Sequence, residues 1–177
     1  MTTTKKRILM NAFFKSQFSY CPLVWMFHSR TLNNRINKLY ESCLRIIYND
    51  KVSSFQELLD QDKSVTVHTR NLQILATEMF KVSNDTAPQI FADIFSSRSH
   101  SNYNLRHQSQ FNFPRVKTVY NGTETVSFLG PKIWELVPSE IKEKTSLNAF
   151  KNAIKTWKPQ NCPCRLCKKY IAGVGFI

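Results

Sequence analysis

TLNNRINKLYESCLRIIY (residues 31–48) is the stretch on which the fold class turns. Leu32, Ile36, Leu39, Cys43 and the Ile46/Ile47 pair recur at the three- and four-residue spacing of an α-helix, with Thr31 standing where a cap is expected. Arg35, Lys38 and Arg45 fall on a second stripe about a hundred degrees round the same helix. The sequence therefore predicts one buried apolar face and an adjoining basic one.

The same periodicity extends in both directions. Lys5 to about Gln17 reads as a helix, closed where Pro22 pushes its predecessor out of helical geometry, and a short apolar segment, Leu23 to Phe27, comes after it. SSFQELL (53–59) pairs Ser54 with Glu57 in a capping-box pattern. Val65 to Val82 puts His68, Leu72, Leu75 and Met79 on one helical face, and APQIFADIF (87–95) makes a brief fifth helix. From Ser96 the texture changes to a polar connector. TVYNGTETVSFLG (118–130) then sets Asn121-Gly122 between two β-prone arms, a hairpin signal, and Gly130-Pro131 introduces a short helix, KIWELV (132–137). Ser146 to Trp157 is helical, with Leu147, Phe150, Ile154 and Trp157 inward and Lys151, Lys155 and Lys158 beside them, until Pro159 ends it. The expected architecture is mainly α: a helical bundle over 1–95, a connector over 96–117, a hairpin and C-terminal helices over 118–158, and a basic cysteine-rich tail over 159–177.

Charge narrows the function. The 177 residues carry 25 Lys plus Arg against 12 Asp plus Glu, a net +13. Between Lys142 and Lys169 the balance is eight basic residues to one acid, Glu143. Such a field draws polyanions, RNA or DNA first, held through the backbone, with an anionic membrane surface as the alternative. Arg35, Lys38, Arg45, Lys151, Lys155, Lys158, Arg165, Lys168 and Lys169 are the candidate contacts. Tyr103, Phe111, Phe113 and Tyr120, near Arg106, Arg115 and Lys117, offer rings for base stacking, although packing inward is their ordinary role.

Catalysis finds little support. With four glycines there is no Gly-rich phosphate loop, and neither a nucleophile elbow nor a His-x-x-x-His pair occurs. Asp60 and Asp62 read as a cap or solvated charges, and His68 as a core histidine. The apolar stretch Ile8 to Phe27 is interrupted by Asn11, Lys15, Gln17 and Pro22, which favours a core helix over a membrane span. No secretory signal is read at the start, so an intracellular chain, cytoplasmic and/or nuclear, with reduced thiols is expected.

The tail WKPQNCPCRLCKKYI (157–171) gathers Cys162, Cys164 and Cys167 within six residues. Zinc takes four tetrahedral nitrogen or sulfur ligands and binds thiolate, whose formation Arg165, Lys168 and Lys169 would favour. A fourth ligand must come from Cys21, Cys43, His28, His68, His100 or His107. Reduced thiols in a basic tail are the simpler alternative, and a redox Cys-x-x-Cys lacks the preceding strand that such sites use.

Five blocks in order, residues 9–50, SSFQELL, HTRNLQILATEMFKV (68–82), FLGPKIWELVP (128–138) and the cysteine tail, together resemble the C-terminal part of the reverse transcriptases of jockey-like non-LTR retrotransposons. The resemblance implies a thumb-like helical segment from Lys5 to Phe95 and a nucleic-acid-binding, cysteine-bearing extension that grips RNA or an RNA–DNA hybrid. It also implies an RNA-directed DNA polymerase whose aspartate-bearing palm would precede Met1. No Asp-Asp pair occurs in this chain, so no catalytic residue carries over and the chain is expected not to be an enzyme as it stands. The palm and fingers become a possible partner. The alternatives are a helical protein-interaction module and a pseudogene product without selected function.

Overall fold

The computed structural model describes residues 1–96, 109–118 and 122–167, together with the backbone of 170–171 and 175–176. The order is α1 (Thr3–Met10), a π-helical turn (Asn11–Lys15), a 3-10 turn (Gln17–Ser19), α2 (Pro22–Trp25), α3 (Arg30–Tyr48), α4 (Phe55–Asp62), α5 (Val67–Ser83), α6 (Gln89–Ile94), α7 (Val126–Glu135), α8 (Ser139–Lys142) and α9 (Leu147–Ile154). A two-residue antiparallel pair, β1 (Tyr170–Ile171) and β2 (Gly175–Phe176), comes last, with Tyr170 opposite Phe176. The chain is mainly α, as its periodicity predicts. It divides into two compact units, Met1–Asn71 and Leu72–Ile177, and the division falls inside α5.

In the first unit, Met10, Ile36, Tyr40, Leu44, Ile47, Leu58, Leu59 and Val67 form the core, with Phe14, Phe18 and Trp25 packed against it. The buried face of α3 is thus Ile36, Tyr40, Leu44 and Ile47. Leu32, Leu39 and Ile46, expected inside, are exposed. The helix starts at Arg30 because Ser29, not Thr31, caps it, accepting the Leu32 N–H at 3.3 Å. The capping box of α4 forms as predicted, Ser54 Oγ accepting from Glu57 N–H and Glu57 Oε2 from Ser54 N–H. Asp62 is not a solvated charge: its side chain is only 3% exposed and accepts from Tyr48 Oη at 2.8 Å, with Arg7 at 3.1 Å and Lys15 at 3.8 Å. A carboxylate so far from water requires such partners.

In the second unit, Leu72, Leu75, Ala76, Met79 and Phe80 of α5 are buried together with Phe95, Phe111, Leu129, Ile133, Trp134, Phe150 and Ile154. Phe80 and Phe150 stack with centroids 4.2 Å apart, and Trp134 lies 6.1 Å from both Phe150 and Phe111. The hairpin expected around Asn121-Gly122 is not seen. Asn121 and the arm before it, from Val119, lie outside the described residues, and Val126 onward is α7. Val126, Leu129, Ile133, Trp134 and Val137 recur at helical spacing, and that burial outweighs the β preference of Thr and Val. Pro131, expected to start a helix, sits inside one, where its missing N–H is tolerated among buried Leu129, Ile133 and Trp134.

Candidate metal centre and basic surface

The first turn of α5 carries His68, and the loop after α9 carries the three tail cysteines. Their candidate ligand atoms all lie within 4.8 Å of one another. His68, Cys162 and Cys164 are buried and Cys167 is exposed, so the cluster has one side open to solvent.

Local structure explains how so short a loop reaches α5. Gln73, a turn and a half beyond His68 on the same helix, donates its side-chain amide to the carbonyls of Lys155 at 3.2 Å and Trp157 at 2.8 Å. The end of α9 is thereby fastened to α5, and Pro159 prevents the helix from continuing away. Asn161 then takes a left-handed conformation, φ 56°, which turns the chain at Cys162. The Cys167 N–H donates to the Cys164 carbonyl at 3.1 Å, curling Cys-Arg-Leu-Cys so that both sulfurs approach one point. Glu124 steadies the curl by accepting the Arg165 backbone N–H at 3.2 Å.

The chemistry suits a soft or borderline cation. In tetrahedral coordination with metal–sulfur bonds of about 2.3 Å, neighbouring sulfurs lie about 3.8 Å apart. The observed spread needs only a small contraction to match this, and three thiols with one imidazole form a donor set that zinc uses. The Cys162 thiol is held well above the ordinary cysteine range, chiefly by hydrogen bonding with Cys164 and then Cys167, with burial adding to it. Thiols so placed hydrogen-bond to one another, and a divalent cation bound there would displace the thiol protons and offset the resulting thiolates with its double positive charge. The cluster can therefore hold a metal ion such as zinc.

Of the proposed fourth ligands the structure selects His68, which the sequence assigned to the core. Cys43 packs against the first unit's core, Cys21 is exposed elsewhere, His28 Nδ1 lies 3.0 Å from the Trp25 carbonyl oxygen, and His100 and His107 lie outside the described residues. Asn71, three residues on from His68 along α5, is a residue the sequence did not single out. It is 1% exposed, and neither side-chain amide atom finds a hydrogen-bond partner among the described residues.

The cations divide. Lys151, Lys155 and Lys158 are exposed on and just after α9, and Lys155 Nζ lies 3.2 Å from Asn152 Oδ1. Arg165 is half-buried within the cysteine loop. On α3, Arg35 and Lys38 are exposed, whereas Arg45 binds Glu41 at 2.6 Å and the carbonyls of Ser53 at 2.9 Å and Asp50 at 3.4 Å, fastening the α3–α4 turn. Lys168 and Lys169 lie outside the described residues, as do Tyr103, Arg106 and Tyr120. Phe111 is buried and Phe113 is exposed. No helix among the described residues is long and apolar enough to cross a membrane. No protein-family model, curated protein or solved structure matches this chain.

Proposed function

We propose that this chain is a non-catalytic, nucleic-acid-binding C-terminal part of a jockey-like non-LTR reverse transcriptase, whose tail is fastened by zinc on His68, Cys162, Cys164 and Cys167. The observation that carries the reading is the convergence of those four donors beside the most basic part of the chain. Zinc would fix the cysteine loop on α5 and hold Arg165 close to the α9 cations. Lys151, Lys155 and Lys158, with Lys168 and Lys169 of the tail, would then meet the phosphates of RNA or an RNA–DNA hybrid, with no base-reading motif and hence little sequence preference.

Two measurements test it. Protein purified without chelators should contain one zinc per chain, and His68→Ala should lose it. Binding of an RNA–DNA hybrid, followed by fluorescence anisotropy against salt, should weaken steeply. Lys151→Ala, Lys155→Ala and Lys158→Ala together should flatten the slope by about one counterion for each phosphate no longer neutralised. A salt-independent affinity would overturn the nucleic-acid reading, and metal-free protein the zinc reading. The exposed aliphatic residues of α3 favour a second, protein-binding role.

A further inference from the structure

The first unit carries an apolar strip that its own fold leaves uncovered. On α3, Leu32, Leu39 and Ile46 stand at successive seven-residue intervals and are 45%, 57% and 66% exposed. This spacing keeps them on one side of the helix, with a drift of only about 20° per step. Lys6 Nζ bonds to the Ile46 carbonyl at 2.7 Å and the Phe14 ring stacks on Tyr40 at 5.3 Å, so α1 and the turn after it run antiparallel to α3. That register brings the α1 side of the strip two more exposed apolar residues, Leu9 at 46% and Phe13 at 74%.

The charge beside the strip has one sign. Residues 1–40 hold seven Lys or Arg and no Asp or Glu. Arg35 lies between Leu32 and Leu39 with Lys38 next to it, both exposed, and Lys6 sits at the far end. Three of the acids that follow in the chain are engaged elsewhere: Glu41 binds Arg45, Asp50 accepts from Val52 and Ser53, and Asp62 binds Arg7 and Lys15. A second copy would present the same cations and be repelled. A nucleic acid would satisfy the cations and could stack a base on Phe13, yet it would leave Leu9, Leu32, Leu39 and Ile46 in water, since bases stack on rings and not on aliphatic side chains.

We propose that this face docks an amphipathic helix of a partner protein, its apolar seam laid along Leu32, Leu39 and Ile46 and its flanks carrying Glu or Asp towards Arg35, Lys38 and Lys6. This is an interface of the helix-in-groove kind, with seam residues giving affinity and flanking charges giving choice of partner. It goes beyond the nucleic-acid reading and is independent of the zinc site.

The test uses the full chain and a fluorescent synthetic helix of about three heptads with Leu along its seam and Glu on its flanks. The same peptide with Lys on its flanks, and a poly-U RNA, are the comparison probes. The Glu peptide should bind and the Lys peptide should not. Leu39→Asp should weaken binding about tenfold or more with helicity unchanged, and Leu32→Gln, a milder change, should act in the same direction. Arg35→Glu combined with Lys38→Glu should transfer preference to the Lys peptide. Equal binding of both peptides, binding by neither, RNA competing for a site insensitive to Leu39→Asp, or dimerisation of the chain through Leu39 would each overturn the proposal.

Discussion

Gly130 shows how tightly single positions are set. A Cβ added there would stand 2.6 Å from Cε1 of Phe95, whose ring is fully buried and has no room to retreat. Alanine in a helix gains about 1 kcal/mol over glycine, but overpacking a core costs about 1–3 kcal/mol. Gly130→Ala should therefore lower the melting temperature, and Phe95→Leu in the same chain should recover part of the loss. Asp50 gives a pH-dependent case. Its carboxylate accepts from the Ser53 hydroxyl first, then from the N–H groups of Ser53 and Val52, which brings its pKa down to about 2 from 3.8. A depressed carboxylate contributes stability that is complete above its unfolded value and is lost as the pH falls through the folded one. The difference in melting temperature between the wild type and Asp50→Asn should accordingly be present at neutral pH and vanish between about pH 4 and pH 2. The sequence could not announce either role, because neither the ring that meets Gly130 nor the turn that encloses Asp50 is visible in residue types.

Helices were the legible elements, and their faces less so. Ser54 and Glu57 predicted the start of α4 because a capping box is a local bargain between neighbours. Ser54→Ala should cost about 1 kcal/mol, read as a drop in urea midpoint with unchanged slope. On α3, two apolar stripes lie about 95° apart, Leu32/Leu39/Ile46 and Ile36/Tyr40/Leu44/Ile47, and helical spacing alone fits both. What decides between them is tertiary: Phe14 stacks on Tyr40, and Phe55 meets its edge at 5.9 Å, so the second stripe turns inward. The hairpin expectation failed for the opposite reason. Asn121-Gly122 is a strong two-residue signal, but the apolar spacing from Val126 to Val137 was the better guide to the element beyond it.

For the whole chain, the three cysteines were conspicuous in the sequence, and their fourth partner was one name among six. His68 lies 94 residues before Cys162 and looked like any buried histidine, because only folding brings the two together. A ligand that binds the native form raises its stability by mass action. Adding zinc should raise the melting temperature and EDTA should lower it, with His68→Ala blunting both responses. The uneven supply of donors has a sharper corollary. An unfolded chain still presents a local sulfur triplet, so it competes weakly for the ion and trims the stabilisation, whereas the imidazole joins only once α5 exists. Substituted cobalt should thus change its visible spectrum between a three-thiolate and a mixed nitrogen–sulfur environment, turning the ion into a colour gauge of how much of the molecule has matured.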